Sequence, residues 1–451
     1  MDAISDVITM INSFIWGPWM LALLVGTGLI LSFRLRFMQF PTLPYALKLA
    51  FSPVQRDRRS KGDISHFQAL MTALAATIGT GNIVGVATAV VLGGPGAVFW
   101  MWITAFVGMA TKYSEAVLAV KYRVTDEKGE MVGGPMYYIE RGMGCKWLAW
   151  LFALFGAIAA FGIGNMVQVN AVAGNVHNLF GIPAWLTGII LAFLTALVIM
   201  GGIKSIGKAA GTLVPLMSLL YISTGLLIII YNYSLVPDAL KVIFTDAFQA
   251  QAGFGALIGT TIRYGVARGV FSNEAGLGSA PIAAAAAKTD HPCRQALVSM
   301  TGTFLDTIIV CSITGILLVM AGLYPDFSEG TAVVLTSCSF DFFLPGIGSY
   351  IVTVGLILFA YSTVLGWFYY GEKCFYYLTG FKGIKPYRML FCLMIFVGAV
   401  LKIGLVWDIA DAFNGAMAIP NLVGLLALSS IVVSETREFQ KIREKEKGKL
   451  I

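Results

Sequence analysis

The sequence predicts an all-α, polytopic membrane protein of about eleven transmembrane helices, one at the amino terminus followed by two sets of five. Three observations carry this. Of its 451 residues, 57% are apolar and 12% charged, with a mean hydropathy of +0.80, too little charge for a soluble surface. Apolar runs of bilayer length recur along the chain. Two of those runs are interrupted by glycines at matching positions.

The spans, roughly 14–33, 66–91, 97–120, 147–171, 182–200, 209–231, 254–285, 295–322, 347–371, 388–406 and 409–434, lie between charged or Gly/Pro-rich stretches. They are too long for strands and lack alternation, and an open sheet cannot satisfy its backbone in lipid. The first run, Trp16 to Leu31, follows Asp2 and Asp6 and has no cleavage site, so it reads as a retained helix. The tail, Glu435 to Ile451, alternates charge at helical spacing and reads as a solvated helix or frayed end.

Every second loop is basic. Lys48, Arg56, Arg58, Arg59 and Lys61 mark the first, Lys121, Arg123, Lys128, Arg141 and Lys146 the third, and Lys204 and Lys208 the fifth. Lys288 and Arg294, then Lys373, Lys382, Lys385 and Arg388, continue the pattern. The intervening loops carry Asp238, Asp246, Asp326, Glu329 and Asp341. The rule that basic loops stay inside places the amino terminus outside and the carboxyl terminus in the cytoplasm of an integral cell-membrane protein.

Several functions are disfavoured. The net charge of +7 sits in short loops instead of forming a basic face, which argues against nucleic acid. His66, His177 and His291 are far apart, without metalloprotease spacing or a nucleophile elbow, so no enzyme is expected. The six cysteines have no CxxC pair, and only Cys338 falls in a loop assigned outside, so neither a metal centre nor a disulfide framework is expected. No obligate protein partner is evident, and the lack of an appended soluble domain speaks against a sensor. Membrane lipid is the surrounding solvent.

Setting aside the first helix (1–34), the chain divides into 35–232 and 233–434, with 435–451 as the tail. Five is odd, so the second set crosses in the opposite sense. The first set opens with Ala75-Ala76-Thr77-Ile78-Gly79-Thr80-Gly81-Asn82 and the second with Phe271-Ser272-Asn273-Glu274-Ala275-Gly276-Leu277-Gly278-Ser279-Ala280-Pro281. A mid-span Gly-x-Gly costs about 1 kcal/mol per glycine and frees peptide groups where no water replaces the lost bonds. Freed amides at a half-helix start suit a carboxylate, and freed carbonyls at a half-helix end suit a cation. The plainer reading is close helix packing through small residues. Two such breaks at equivalent positions favour a central site.

The stretch Gly93-Gly94-Pro95-Gly96-Ala97-Val98-Phe99-Trp100-Met101-Trp102-Ile103-Thr104-Ala105-Phe106-Val107-Gly108 resembles the signature of the alanine or glycine:cation symporter family. Thr77–Asn82, Gly133-Gly134-Pro135-Met136-Tyr137-Tyr138, Phe271–Pro281 and Ala418-Ile419-Pro420-Asn421 are similar to further segments of that family, and the resemblance spans the chain. It implies a LeuT-type five-plus-five inverted repeat with two broken helices. It also implies cation-coupled uptake of a small neutral amino acid, alanine or glycine, with sodium as coupling ion and no other cofactor.

By that resemblance the substrate carboxylate meets amides around Gly79, Thr80 and Gly81, and its ammonium meets carbonyls near Phe271, Ser272 and Asn273. Phe161, Phe271 and Trp367 are candidates for the bulk that selects a small side chain, although bundle aromatics are more often packing. Gln168 has an amide able to serve both ends of a zwitterion or to bond another helix. The residues expected around substrate are therefore Thr77, Gly79, Thr80, Gly81, Gln168, Phe271, Ser272, Asn273, Gly276, Thr363 and Trp367. A sodium site is implied at the hydroxyls of Ser362 and Thr363 with the carbonyls of Ala75, Ile78 and Phe359, an all-oxygen shell.

Asp306, an ionisable residue in mid-span, needs a function or a partner. With Thr77, Asn82 and Ser272 it makes a second candidate cation site; the alternatives are a proton carrier or an ion pair with Arg263 or Arg268. Glu274 either accepts amides freed in the second break or pairs with a cation. Lys112 and Glu115, at i and i+3, are expected to satisfy each other. Arg263 and Arg268 read as an outer gate or as interfacial anchors. A symporter coupled to protons, a substrate-gated channel and a membrane sensor on the same scaffold are the rival readings. A channel lacks its pore loop or ring of like charge.

Overall fold

The computed structural model describes residues 2–52, 60–248, 255–328, 331–401 and 404–448. Arg56, Arg58, Arg59 and Glu329, used above for orientation, lie outside the described residues.

Helices account for nearly all of the chain. Helices α1 (Asp2–Ile15), α2 (Pro18–Arg34) and α3 (Gln39–Phe51) precede the first broken span. That span is α4 (His66–Thr77), a π-helical turn (Gly81–Gly85) and α5 (Val86–Gly93), with its two halves bent by 53°. A capping box starts α4: the Ser65 hydroxyl accepts from Gln68 N, and the Gln68 side chain accepts from Ser65 N. Then come α6 (Ala97–Lys121), α7 (Pro135–Met143), α8 (Lys146–Phe161), α9 (Val167–Phe180), α10 (Ala184–Ile199), α11 (Gly202–Tyr231) and α12 (Val236–Phe248).

The second broken span is α13 (Gly255–Asn273) and α14 (Pro281–Ala285). It is followed by α15 (Pro292–Thr303) and α16 (Ser312–Ala321), α17 (Ala332–Phe343), α18 (Gly348–Thr379), α19 (Ile384–Val400) and α20 (Gly404–Gly448). Among the described residues, strands occur only as a short hairpin of two residues each, β1 (Val124–Thr125) with β2 (Met131–Val132), in the loop after α6.

Among the described residues, seven helical stretches are long and apolar enough to cross a bilayer, and the bent α4–α5 pair makes an eighth. The count of eleven also needs α6, α10 and the α13–α14 pair. The short α3, α7, α12 and α17 fill stretches that the sequence reading left as loops. The large outward-facing apolar residues, such as Leu219, Leu227 and Phe193, are what a lipid-facing surface requires.

One correction concerns the chain's end. The tail is a docked helix, not a frayed end: α20 continues to Gly448, Glu435 pairs with Lys121 at 2.5 Å, and Glu446 pairs with the buried Arg294 at 2.6 Å. The family-like stretch 93–108 forms a turn at Gly93–Gly96 and then the first part of α6: Gly94 has φ +80°, which a side chain rarely adopts, and Gly96 N donates to Asp246 Oδ2 of α12 at 2.7 Å.

The helices fall into two packed sets. Helices α13 and α15 both pack closely on α6, while α18 packs on α8 and α9, and α9 on α10 and α19. Both breaks lie where the sets meet.

Candidate substrate and cation site

The first break begins where Ile78 leaves the helix in an extended conformation (φ −76°, ψ 96°). Gly79 N donates to Asn82 Oδ1 at 3.0 Å, and the chain re-enters helix at Gly81. A half-helix that starts inside the bundle presents its first amides without intrahelical partners, and its dipole makes that end positive. Opposite lies the carboxyl end of α13, whose last carbonyls form a negative end. The ends meet closely: a Cβ on Gly81 would come within 3.3 Å of Ser272 Cα and 3.4 Å of Phe271. Donors and acceptors thus face each other without a net charge, an arrangement that suits a zwitterion.

Gly79 points elsewhere. A Cβ there would lie 2.5 Å from Thr363 Oγ1 and 3.5 Å from Gln168 Oε1. Gln168 Nε2 donates to Thr80 Oγ1 at 3.2 Å and to Ile163 O at 3.1 Å, while its buried Oε1 has no partner. Its amide therefore spans α9 and the first break with one valence left for a ligand.

The five oxygens expected to form a sodium site converge. Ser362 Oγ lies 3.3 Å from Ala75 O and 2.8 Å from Phe359 O, and Thr363 Oγ1 lies 3.4 Å from Ile78 O and 3.0 Å from Phe359 O. Hard oxygens on two facing helices, without a carboxylate, fit a monovalent cation better than a divalent one.

Asp306 lies on the π-helical segment Phe304–Cys311, which turns its carboxylate toward both breaks. Its Oδ1 accepts from Asn82 Nδ2 at 2.7 Å, and its Oδ2 accepts from Ser272 Oγ at 3.0 Å and Thr307 Oγ1 at 2.7 Å. The structure thus brings Asp306, Asn82 and Ser272 together and pairs Asp306 with neither Arg263 nor Arg268. Cys311 Sγ touches the same Asn82 and Ser272 side chains at 3.3 and 3.2 Å. Thr77 is not brought in: its hydroxyl bonds Ala73 O of its own helix at 2.6 Å.

The second break is braced by residues to which the sequence reading gave other roles or none. Glu274 (φ +56°), Gly276 (φ +92°) and Gly278 (φ +83°) turn the chain through the left-handed region. Glu115 Oε1 accepts from Gly276 N at 3.1 Å, Gly278 N at 3.2 Å and Asn421 Nδ2 at 2.7 Å. Asn421 also donates to Gly276 O at 2.8 Å and accepts from Tyr138 Oη. Glu274 accepts from Ser279 Oγ at 2.7 Å. The expected Lys112–Glu115 pair does not form: Glu115 Oε1 is turned to the break, and Lys112 Nζ and Glu115 Oε2 are buried without hydrogen-bond partners. Gly276 spends both peptide groups on protein and faces Leu24 and Leu422. A buried acid one helix away from a break was the available signal, as was an Asn directly after the mid-helix Pro420.

The aromatic candidates separate. Phe271 is at the junction of the breaks and lines a cavity of about 310 Å³ with Arg263, Arg268, Asp408 and Asp411. Trp367 is buried one turn beyond Thr363, edge-on to Tyr370. Phe161 is away from the site, packed against Tyr387 and Phe391. Asn273 fixes the break, accepting from Ala275 N at 3.0 Å and donating to Thr307 Oγ1 at 3.2 Å. The six cysteines are unpaired. Among the described residues one His/acid group has ligand spacing, His291, Glu435 and Glu438, far from the breaks. His291 Nδ1 is already taken by Cys293 N and Glu435 by Lys121.

The chain matches the profile of the sodium:alanine symporter family over residues 1–450. It is 65% identical over 99% of both chains to the sodium/alanine symporter AgcS of Methanococcus maripaludis. It is 36% identical to the probable sodium/glutamine symporter GlnT of Bacillus subtilis, over 99% of this chain and 92% of that one. Among solved structures, MhsT in complex with L-phenylalanine superposes with a TM-score of 0.58 at 15% identity, over 83% of this chain and 98% of that one. A sodium-coupled sialic acid symporter superposes with a TM-score of 0.55 at 12% identity, over 88% and 86%. At those identities the likeness shows the fold, the LeuT type with its two broken helices. A multi-pass integral membrane transporter, not an enzyme, this chain belongs to the sodium:alanine symporter family.

Proposed function

We propose that the protein is a sodium-coupled symporter that carries a small neutral amino acid, alanine or glycine, into the cell by alternating access. The observation that carries the reading is the apposition of the two half-helix ends at Gly81 and Phe271–Ser272. The amino acid carboxylate sits at the start of the second half-helix, where the Gly81–Gly85 turn begins, around Gly79, Thr80 and Gly81. Its ammonium sits on the carbonyls of Phe271, Ser272 and Asn273. Gln168 closes the side through its open Oε1, and Phe271 limits side-chain size.

Sodium occupies the Ala75, Ile78, Phe359, Ser362 and Thr363 oxygens, where it ties α4 to α18. A second cation lies at Asp306 with Asn82 and Ser272. The carboxylate there favours a cation over a neutral ligand, and sodium over a proton because its two oxygens already accept three hydrogen bonds. The chain comprises an extra helix (1–34), two inverted repeats (35–232 and 233–434) and a tail. Its amino terminus lies outside and its hairpin and tail in the cytoplasm, supported by the basic loops.

Uptake of labelled alanine, glycine and serine into proteoliposomes, with and without an inward sodium gradient, tests this. Accumulation above equilibrium that collapses with the gradient is the expected result. Equilibration unaffected by sodium would leave a channel or a proton carrier, and a proton gradient in place of sodium separates those two.

A further inference from the structure

The two ends of the broken spans are closed in different ways. On the side of the β1–β2 hairpin, the approach to α4 and the exit from α14 are joined by backbone. Asp63 N donates to Ala286 O at 2.8 Å, Lys288 N donates to Ile64 O at 2.7 Å, and Ile64 and Ala287 pair as a parallel bridge. Arg123, two residues past α6, straddles this seam. Its Nη1 donates to Ala285 O at 2.9 Å and Ala287 O at 2.7 Å, and its Nη2 to Lys61 O at 2.8 Å. One guanidinium thus satisfies carbonyls at the end of α14, just past it and on the approach to α4, using the planar fork that lysine lacks.

The hairpin carries the seam across to the other set of helices. Asp63 Oδ2 accepts from Met131 N at 2.7 Å, fixing the hairpin to the approach of α4. On its other side Lys373 of α18 reaches Glu130 Oε2 at 2.9 Å and Asp126 Oδ2 at 3.7 Å. The Lys373 and Asp126 side chains are only 7% and 2% exposed, so this pair is shielded from solvent. At the opposite end the described residues show no backbone seam of this kind over the breaks: a cavity beside Phe271 is lined by Arg263, Arg268, Asp408 and Asp411.

A carrier needs a closed side that reopens. Apolar packing reopens only at the cost of wetting hydrocarbon, whereas carbonyls, a guanidinium and an ion pair exchange their partners for water. Such contacts strengthen when water is excluded and weaken when it enters.

We propose that this seam is the inner gate of the carrier. Arg123 is the clasp that holds the cytoplasmic ends of both broken spans together, and the Lys373–Glu130 pair ties the clasp to the α18 set. Both must let go for release inward. The assignment rests on the carrier reading above and on its orientation.

Two measurements on the full-length protein test it. Hydrogen exchange of peptides covering 61–66 and 285–289 reports the Asp63 and Lys288 amides directly, without any need for transport. In Arg123→Gln these are expected to exchange about tenfold faster, as loss of the guanidinium's bonds predicts, while peptides over α8 and α18 stay unchanged. In proteoliposomes, the ratio of external to internal half-saturation for alanine is expected to rise about tenfold, because a population moved toward the inward-open state binds better from inside and worse from outside. Glu130→Lys and Lys373→Glu should each move the ratio the same way, and their combination should bring it back. These two variants decide the matter if Arg123→Gln does not fold. Unchanged seam exchange, faster exchange throughout the protein, or half-saturations that worsen equally on both faces would overturn the gate. Wild-type protein without sodium-driven uptake would sink the carrier reading instead, with seam exchange still measurable.

Discussion

The two helix breaks are written in similar residues and do different work. In the first, Gly79 N is held by a side chain of its own span, and the surroundings offer unspent groups: the free Gln168 Oε1 and hydroxyls set against carbonyls. In the second, the peptide groups around Gly276 and Gly278 are spent on Glu115 and Asn421, and only the end of α13 faces the site. Glycines mark where a helix stops. Where the freed peptide groups go decides whether the break is a binding surface or a braced corner.

The largest test of this contrast is to fill the first break. Gly81→Leu would drive a side chain into Phe271 and Ser272, where even a Cβ has only 3.3–3.5 Å. Uptake is expected to be lost while the protein still inserts and folds, checked by size-exclusion profile and labelled-alanine uptake; retained transport would remove the break from the substrate path. Next is the brace. Glu115→Ala leaves two buried amides and the Asn421 side chain short of an acceptor, a loss of about 3 kcal/mol at about 1 kcal/mol each. Thermal unfolding should fall well below that of the parent, with Glu115→Gln intermediate. If the second break instead bound ligand directly, sodium or alanine at saturation would restore the stability of Glu115→Ala to the level of the liganded parent.

This contrast also bounds what could be read from sequence. Span positions, both breaks and the Asp306–Asn82–Ser272 grouping were legible, because bilayer-length apolar runs and intramembrane polar residues are strong local signals. The partners of the second break were not. Glu115 lies 161 positions from Gly276 and Asn421 lies 145 from it, and no local pattern pairs them. The i, i+3 spacing of Lys112 and Glu115 pointed to the wrong partner, since a free carboxylate in a bundle goes to unsatisfied amides first. Phe161 takes the packing role that the sequence made the commoner one for a bundle aromatic, and only the structure shows which of the two packed sets its ring faces. The docked tail was missed because charge alternation looks the same on a solvated helix as on one paired with Arg294.

A smaller effect sharpens the cation side of the first break. Thr363→Ala removes one of five oxygens without opening the bundle, since Ser362 still bridges Ala75 O and Phe359 O. The sodium concentration for half-maximal uptake should rise about tenfold, the scale of one hydrogen-bond-strength ligand, while the maximal rate is nearly kept. An unchanged sodium response would take Thr363 out of the shell.

The smallest predicted effect separates the two ends of one amide. Gln168 Nε2 is bound to Thr80 Oγ1 and Ile163 O, so that half of the side chain positions the first break, whereas Oε1 is the half left for a ligand. Gln168→Glu keeps the shape and an acceptor at Oε1 but loses the Nε2 donor and places a negative charge near the expected carboxylate; Gln168→Met keeps the bulk and removes both functions. If Oε1 meets the ammonium, half-saturation for alanine should rise roughly threefold to tenfold in Gln168→Met, as loss of one hydrogen bond to a charged group predicts, with sodium dependence unchanged. If the amide only braces Thr80, the same variant should lower thermal stability and leave the alanine half-saturation where it was. The first result would make α9 part of the binding surface, and the second would leave the two facing half-helices to recognise the amino acid backbone alone.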